Sequence, residues 1–290
     1  MIATDDMAPL DDAGTSRYVT IDGSRVHYNL VECSGPSGIP IILTHGGGPG
    51  ATSWNNFLYN ARALSSRYSC YFYDLPGFGA SEAVQISGPV HSWYAEKFLK
   101  FMDALKIERA HLVNQSYGGA MAIKVAAMAP SRVDHLVITG SRPVLGSLIA
   151  PASTSRGKLA LQRYYSGENG PTPEQMRFLL AELEFHNPDR ITDLNVKLRY
   201  ETSITPNVRD FLSQPVKRGQ PESLFEEFRN VKARTLIIHG LHDAFGSVDV
   251  PLTMVNQFAD ARLHLVASAG HHVQTECPTE YNPVVLGFLP

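Results

Sequence analysis

Six short runs of apolar and β-branched residues recur along this chain of 290 residues, each bounded by turn residues. In chain order they are IPIILTH, CYFYDL, AHLVNQ, HLVITG, RTLIIHG and ARLHLVA. Several are apolar at consecutive positions, which is typical of strands buried on both faces of a parallel sheet. Helical patterns separate them, most clearly over residues 93–105 and 120–128. The alternation predicts a doubly wound α/β fold with a mostly parallel sheet flanked by helices.

The N-terminal part of the chain has a different pattern. Its first residues are acidic and lack the basic region and apolar stretch of a signal peptide. We expect residues 1–16 to form a flexible segment. The next stretch, SRYVTIDGSRVHYNLVE, predicts two strands joined at Asp22-Gly23, which is a strong hairpin signal.

Helical signals replace strand signals between roughly residues 142 and 231. The clearest helix lies in GPTPEQMRFLLAEL, where Thr172 can cap, Pro173 suits the first turn and Gln175 completes a capping box. An apolar face then follows at helical spacing, formed by Met176, Leu179, Leu180 and Leu183.

This helical region is predicted to be an insertion, 143–231, in a core domain made of residues 17–142 and 232–290. Ligands of open α/β sheets bind at the carboxyl ends of the strands, so a helical insertion favours a lid over the site. The alternative is a second packing domain with no gating role. The aromatic residues predicted to contact substrate from the lid are Phe178, Phe185 and Phe211.

Composition narrows the possible functions. A net charge of −3 offers no basic surface for nucleic acid, and no apolar run approaches the ~20 residues of a membrane-spanning helix. Cys33, Cys70 and Cys277 are far apart and lack the spacing of metal ligands, which indicates free thiols in a reducing compartment. We expect a cytoplasmic protein that binds a small molecule rather than nucleic acid or membrane. It needs no metal or organic cofactor, and it could form a homo-oligomer.

The stretch HLVNQSYGGAMA joins a predicted strand to a predicted helix. Its simplest interpretation is a tight turn. The alternative is a nucleophile elbow, in which Ser116 sits in a strained turn with its hydroxyl exposed and Gly118 allows close packing. Asn114 stands where glycine is more usual. The choice depends on whether a base, an acid and an anion site exist elsewhere in the chain.

Candidates for the base and the acid follow the last two predicted strands. VASAGHHVQ contains His271, and LIIHGLHDAFG contains Asp243. The chain order Ser116, Asp243, His271 is that of α/β-hydrolase triads and differs from the order on other protease folds. Asp249 is an alternative acid, although SVDVP suits a helix cap, and His272 is an alternative base. The arrangement predicts a catalytic triad of Ser116, His271 and Asp243.

The candidate anion site is the glycine-rich stretch LTHGGGPGATSW, which directly follows a predicted strand. Consecutive glycines let backbone amides approach a ligand with no Cβ atom in the way. Gly47 or Gly48, together with the amide of Tyr117, is therefore predicted to form an oxyanion hole. A phosphate-binding loop is the competing interpretation, but the Gly-Lys-Ser/Thr ending is missing.

With these motifs the sequence resembles the α/β-hydrolase superfamily and, within it, the bacterial meta-cleavage-product hydrolases, which split C–C bonds in ring-opened aromatic compounds. The similarity begins at about Tyr18 and is carried by HGGGPGA, YDLPGFGASE and MDALKIERAHLV. It implies that Asn56 helps to position substrate and that Arg199, in KLRYET, binds the substrate carboxylate. An anion in a closed pocket needs such a partner, because an unpaired buried charge is costly. The alternative arginines are Arg177, Arg190 and Arg209.

Two positions depart from that family. Its members typically carry Gly-Asn before the nucleophile and a tryptophan after the catalytic histidine, whereas this chain has Asn114-Gln115 and His272. We expect Gln115 and His272 to line the substrate pocket, and both departures put C–C cleavage in doubt. Monoalkyl phthalate hydrolases resemble the same family, and their substrate also carries a free carboxylate.

The sequence therefore favours a serine esterase that cleaves a carboxylate-bearing monoester, such as a monoalkyl phthalate, to a diacid and an alcohol through an acyl-enzyme. C–C bond hydrolysis in aromatic degradation is the alternative activity. The alternative of another class is a ligand receptor that has the same fold and a catalytically weak site.

Overall fold

The computed structural model of the protein describes residues 10–33, 38–141, 143, 153–166, 170–214 and 218–290. Its strands are β1 Ser16–Ile21, β2 Ser24–Val31, β3 Ile41–Thr44, β4 Cys70–Tyr73, β5 Ile86–Pro89, β6 Ala110–Gln115, β7 Val133–Thr139, β8 Arg218–Gln220, β9 Arg234–Gly240 and β10 Ala261–Val266. Its α-helices are α1 Asp12–Thr15, α2 Ser53–Asn56, α3 Ala61–Ser65, α4 Val90–Ala104, α5 Ser116–Met128, α6 Ser153–Ser166, α7 Pro173–Leu183, α8 Asp193–Ser203, α9 Pro206–Ser213, α10 Asp249–Val255, α11 Val273–Glu276 and α12 Pro278–Phe288.

Within the described residues, eight strands form one sheet in the order β1-β2-β4-β3-β6-β7-β9-β10. The pairs β1–β2 and β2–β4 are antiparallel, and every other neighbouring pair is parallel. The six apolar runs of the sequence supply β3, β4, β6, β7, β9 and β10, and helices pack on both faces. The predicted α/β-hydrolase fold is confirmed.

The register of the parallel strands brings their carboxyl ends to one edge of the sheet. Thr44 pairs with Asn114 across β3 and β6, and Gln115 pairs with Thr139 across β6 and β7. Val266 pairs with Gly240 across β10 and β9. The segments that follow these residues carry the glycine-rich loop, Ser116, Asp243 and His271, so they all leave the sheet on the same side.

The N-terminal hairpin is confirmed, with Asp22 and Gly23 both in the left-handed region at φ 50° and 83°. The segment before it differs in part from the flexible segment expected over 1–16. The single turn of α1 is held because the Asn29 Nδ2 group donates to Asp12 Oδ1 at 2.6 Å and to Thr15 Oγ1 at 3.0 Å. Residues 1–9 lie outside the described residues.

The helices α6 to α9 lie between β7 and β9, in the region predicted as a helical insertion. Its clearest helix is confirmed, because Thr172 and Gln175 form the reciprocal capping box of α7. The four apolar residues of its predicted face are buried, namely Met176, Leu179, Leu180 and Leu183.

One element of the insertion, which was expected to be mainly helical, is a strand. The short strand β8 pairs with β5 of the core in a second, two-stranded sheet. Its sequence, Arg-Gly-Gln, has no apolar residue, so no strand signal marks it. Gly219 is required there because its φ is 71° and a Cβ atom would lie 2.6 Å from the Ile86 side chain. The insertion is thus hydrogen-bonded to the core through backbone as well as side chains.

Candidate active site

Ser116 occupies a sharp turn between β6 and α5. Its φ of 50° is in the left-handed region, which is uncommon for a residue with a side chain and is a mark of functional turns. The Gly118 amide donates to the His45 carbonyl oxygen at 3.0 Å, and a Cβ atom on Gly118 would lie only 2.6 Å from that oxygen. The turn therefore requires glycine at 118, as predicted, and has the backbone geometry of a nucleophile elbow.

His271 and Asp243 are joined by a buried hydrogen bond. The Nδ1 atom of His271 lies 2.8 Å from Oδ2 of Asp243, and the two residues are 4% and 2% exposed. The other carboxylate oxygen accepts from the Phe245 amide at 2.7 Å. Burial alone would raise the pKa of the Asp243 carboxyl, but His271 beside it holds that pKa below its usual range. An ionised Asp243 fixes the imidazole with Nδ1 as donor, which leaves Nε2 as the basic nitrogen.

The alternative acid and base are placed differently. Asp249 is the first residue of α10 rather than its cap, and Val248 precedes it as the N-cap. His272 lies next to the base but contacts Glu184, with its Nε2 atom 3.2 Å from Oε2. The geometry therefore favours Asp243 and His271.

Glu276, which the sequence did not single out, holds the loop of the base. Its buried carboxylate accepts from the amides of Gly270 and Asn187, both at 2.7 Å, and from that of His186 at 3.1 Å. Because the last two amides belong to the insertion, this one carboxylate connects the loop before His271 to the helical region.

The glycine-rich loop is held by His45, a second residue that the sequence did not single out. Its fully buried ring donates from Nδ1 to the Gly46 carbonyl at 2.6 Å and accepts at Nε2 from the Leu75 amide at 3.1 Å. Burial lowers the pKa of this imidazole, which fits the neutral form that both contacts require. The histidine of the HGGG motif thus fixes the path of the loop from inside.

The glycines of the loop face different neighbours. A Cβ atom on Gly47 would lie 3.5 Å from the Tyr117 side chain, whereas one on Gly48 would lie 2.7 Å from Nη2 of Arg199 and 2.9 Å from Oε1 of Glu184. Gly47 is therefore the better candidate to complete an oxyanion hole with the Tyr117 amide.

Two cavities meet at Ser116. The larger is about 510 Å³ and the smaller about 210 Å³. Both are lined by Gly47, Ser116, Tyr117 and Phe245. Apolar contributions to the rest of the larger cavity come from Phe78, Val90, Phe211 and Leu212, and His91 and Glu222 also line it. The smaller also contains His271. A substrate that spans both cavities would place its scissile bond beside the nucleophile and the base.

The larger cavity also holds a neutral histidine. His91 is 7% exposed, and its ring centroid lies 5.3 Å from that of Tyr117. Burial lowers its pKa to about 4, so it carries no charge near pH 7. No sequence motif marks this residue, which lies in the first turn of α4.

The wall of the smaller cavity contains a buried ion pair. Arg199 donates from Nη1 and Nη2 to the two carboxylate oxygens of Glu184, at 2.7 and 2.8 Å, and from Nε to the Pro49 carbonyl at 3.0 Å. Both residues are 4% exposed. Burial would raise the pKa of the Glu184 carboxyl, but Arg199 and His272 lower it to about 2. Burial lowers the pKa of His272 to about 3, so the cluster contains one cation, one anion and a neutral imidazole.

The carboxylate-binding role expected of Arg199 stays a prediction, and this arrangement bears on it. The residue lines the cavity as predicted, but Glu184 occupies the two-pronged face that a substrate carboxylate would use. The alternative arginines lie outside both cavities. Arg177 pairs with Asp193, Arg190 donates to the Glu276 carbonyl at 3.0 Å, and Arg209 is exposed.

The side chains of Gln115 and Asn56, both predicted to contact substrate, are hydrogen-bonded to each other. Gln115 lines the smaller cavity, and its Oε1 atom accepts from Asn56 Nδ2 at 3.1 Å. Asn56 is buried behind Gln115 and lines neither cavity, so it supports Gln115 rather than facing the space. Among the described residues, nothing accepts a hydrogen bond from the buried Nε2 group of Gln115.

The three phenylalanines of the insertion that were predicted to contact substrate lie in three different environments. Phe211 lines the larger cavity and packs edge-on against Phe78, with ring centroids 5.6 Å apart. Phe185 is buried in the helical cluster of the insertion, and Phe178 is 55% exposed. Only the first of these lies where a substrate would touch it.

A group of possible metal ligands lies away from the cleft. His111, Asp134 and His135 bring ligand atoms within 4.8 Å of one another. Asp134 already accepts from His135 Nδ1 at 2.6 Å and pairs with Arg109 at 2.6 Å, so its oxygens are occupied by protein donors. None of these residues lines the cavities at Ser116.

The fold agrees with comparisons to known proteins. A family model described as alpha/beta hydrolase fold matches residues 39–278. The chain belongs to the α/β-hydrolase family. Among its relatives, a 2-hydroxy-6-oxononadienedioate/2-hydroxy-6-oxononatrienedioate hydrolase of Pseudomonas is 30% identical over 98% of this chain and 99% of the relative. An Escherichia coli hydrolase of the same name is 32% identical over 97% of this chain and 98% of its own.

Solved structures of related hydrolases have the same fold. A meta-cleavage product hydrolase from Pseudomonas fluorescens matches with a TM-score of 0.80 and 28% identity, over 96% of this α/β hydrolase and 98% of that chain.

Among the described residues, no helix is both long and apolar enough to cross a membrane.

Proposed function

We propose that this α/β hydrolase uses Ser116, His271 and Asp243 to cleave the C–C bond beside a ketone in a ring-fission product of aromatic degradation. The observation that carries the proposal is that His271, hydrogen-bonded to the buried Asp243, lines the same cavity as Ser116, a serine on an elbow. The near-full-length relatives named for 6-oxo-dienedioate substrates support this bond type. They support it better than the carboxylate-bearing monoester that the sequence departures favoured.

The proposed reaction begins with attack of the Ser116 Oγ atom on the ketone carbon, while His271 Nε2 takes its proton. The amides of Gly47 and Tyr117 stabilise the negative charge on the former ketone oxygen. The substrate reacts as its 2,6-dioxo tautomer, in which the proton of the 2-hydroxyl group has moved to C5. When the tetrahedral species collapses, the C5–C6 bond breaks, and its electron pair is delocalised through the C3=C4 double bond onto the C2 ketone oxygen. The resulting dienolate takes up the proton from His271. Water, activated by His271, then hydrolyses the remaining acyl-enzyme to a carboxylic acid.

Ester hydrolysis is the second candidate, and the Glu184–Arg199 pair favours it. A dienoate needs a partner for its carboxylate, whereas the one arginine that lines the described cleft is already bonded to Glu184. Gln115 and His272, which replace the residues usual in C–C hydrolases, point in the same direction. An ester requires the triad and the oxyanion hole but no machinery to stabilise a carbon leaving group.

One assay separates the candidates. The purified enzyme is given a 2-hydroxy-6-oxo-dienoate, a monoalkyl phthalate and its dialkyl parent side by side, with Ser116→Ala as the control. The proposal expects loss of the dienoate absorbance at a kcat/KM well above that for either ester. Fast ester turnover with an inert dienoate would contradict C–C cleavage. If nothing is hydrolysed and a fluorophosphonate does not label Ser116, a ligand receptor remains.

A further inference from the structure

The pair formed by Glu184 and Arg199 lies in the cleft at Ser116. Both side chains line the smaller cavity beside Ser116, and both are almost completely buried. The guanidinium makes its two parallel hydrogen bonds to the carboxylate of Glu184 and its third to the Pro49 carbonyl. Such a fork is the geometry in which arginine binds a carboxylate ligand. In this chain, the carboxylate that the Arg199 guanidinium binds is the side chain of Glu184.

The charged residues described as lining the two cavities offer a substrate carboxylate no cation that lacks a protein partner. Histidines apart, the charged residues among those described as lining the two cavities are Arg199, Glu184 and Glu222. Glu222 lines the larger cavity, accepts from the Ser92 amide at 2.8 Å and lies 3.4 Å from the Lys124 ammonium group. A carboxylate that enters the smaller cavity therefore meets no uncommitted cation. It must either remain unpaired or displace Glu184 and leave that charge unpaired instead, and both are costly in a buried site.

The rest of the smaller cavity suits an uncharged group. Its wall includes Leu179 and Leu183, and the Nε2 group of Gln115 is a donor for which no acceptor is found among the described residues. A ketone, ester or amide oxygen can accept that hydrogen bond without bringing a charge.

We propose that Glu184 is a specificity-determining residue: it fills the carboxylate-binding fork of Arg199, so that the smaller cavity selects an uncharged, oxygen-bearing group over a carboxylate. The proposal deepens the proposed function, since it rests on the same cleft and states which substrates that cleft prefers. The dienedioates named for the relatives carry two carboxylates. In the proposed C–C cleavage, the dienoate carboxylate would therefore lie on the side of the larger cavity, and the fragment beside Arg199 would carry no carboxylate.

The test measures binding, so it does not depend on which bond the enzyme cleaves. In the full-length Ser116→Ala variant, ligand-observed NMR titration at pH 7.5 gives the Kd of monoethyl glutarate and of its primary amide, ethyl 4-carbamoylbutanoate. These two ligands differ only in a carboxylate and a carboxamide. We expect the amide to bind at least about tenfold more tightly, because only the acid meets the occupied fork.

Glu184→Gln, added to Ser116→Ala, removes the competing charge and keeps the side-chain shape. We expect the Kd of the acid to fall at least about tenfold and that of the amide to change less than about threefold. The matched control is Glu201→Gln, which removes the same charge from an exposed position on α8. It should change neither value.

Two results would overturn the proposal. One is an acid that binds Ser116→Ala as tightly as the amide or more tightly, and this comparison stands even if the Glu184→Gln variant does not fold. The other is a Glu184→Gln variant that changes both ligands by the same factor. A chain that binds the ligands as expected but cleaves no dienoate would refute the proposed function and leave this inference intact.

Discussion

The Nδ1 atom of His271 lies 2.8 Å from Oδ2 of Asp243, and Asp243 is held on its other oxygen by the Phe245 amide. If this contact sets the tautomer of the base, Asp243→Asn should lower kcat by about 10³–10⁴-fold with little loss of stability. Asp249→Asn is the control, and its kcat should stay within about twofold of wild type. Steady-state kinetics on whichever substrate is turned over would measure both, and a larger loss in the Asp249 variant would reassign the acid.

The elbow leaves no room for a side chain at Gly118. A Cβ atom there would lie 2.6 Å from the His45 carbonyl oxygen. Gly118→Ala should therefore lower the free energy of unfolding by about 1–3 kcal/mol, and it should reduce kcat/KM by about a hundredfold because Ser116 shifts. Gly287→Ala is the control, since that exposed helical glycine has nothing within 4 Å of a new Cβ. Urea unfolding and kinetics would be compared, and equal stability of the two variants would contradict the packing argument.

The Arg199–Glu184 pair allows a double-mutant cycle. Arg199→Met alone leaves a buried carboxylate uncompensated and should cost about 3–5 kcal/mol of unfolding free energy. Glu184→Leu alone leaves a buried guanidinium and should also be costly. The double variant should lose much less than the sum of the two single losses, because neither charge remains. Urea unfolding at pH 7 gives all four values, and simple additivity would show that the pair is not coupled.

His91 should make stability depend on pH. Burial lowers its folded-state pKa to about 4, against 6.5 for the unfolded chain. Between those values the unfolded chain binds a proton that the folded protein does not, so stability is present above about pH 6.5 and is lost as the pH falls toward 4. The free energy of unfolding of the wild type, relative to that of His91→Gln, should fall by about 2–3 kcal/mol between pH 7.5 and pH 4.5. Parallel stability curves for the two proteins would contradict this.

Much of the fold and of the candidate triad could be predicted from the sequence because each rests on local rules. Consecutive apolar residues marked β3, β6 and β9, and the positions of Ser116, Asp243 and His271 followed from chain order at strand ends. Those rules need no knowledge of which side chains meet across the fold.

The partner of Arg199 could not be predicted in the same way, because its choice depends on tertiary packing. One signal was present: Glu184 lies four residues after Leu180 and so continues the apolar face of α7. An acidic residue on a buried face implies a buried partner, but the sequence does not say which one. The strand β8 was missed for a different reason, since its three residues contain nothing apolar.

The meeting of the 510 Å³ and 210 Å³ cavities at Gly47, Ser116, Tyr117 and Phe245 bears on inhibitor design. Two small fragments, one apolar and one polar but uncharged, can each fill one cavity and be joined across the serine. Tethering raises the local concentration of the second fragment to about the millimolar range, so the linked compound gains affinity without any new contact. An electrophilic linker, such as a trifluoromethyl ketone, would place its reactive carbon at the junction and convert that affinity into a covalent adduct with Ser116.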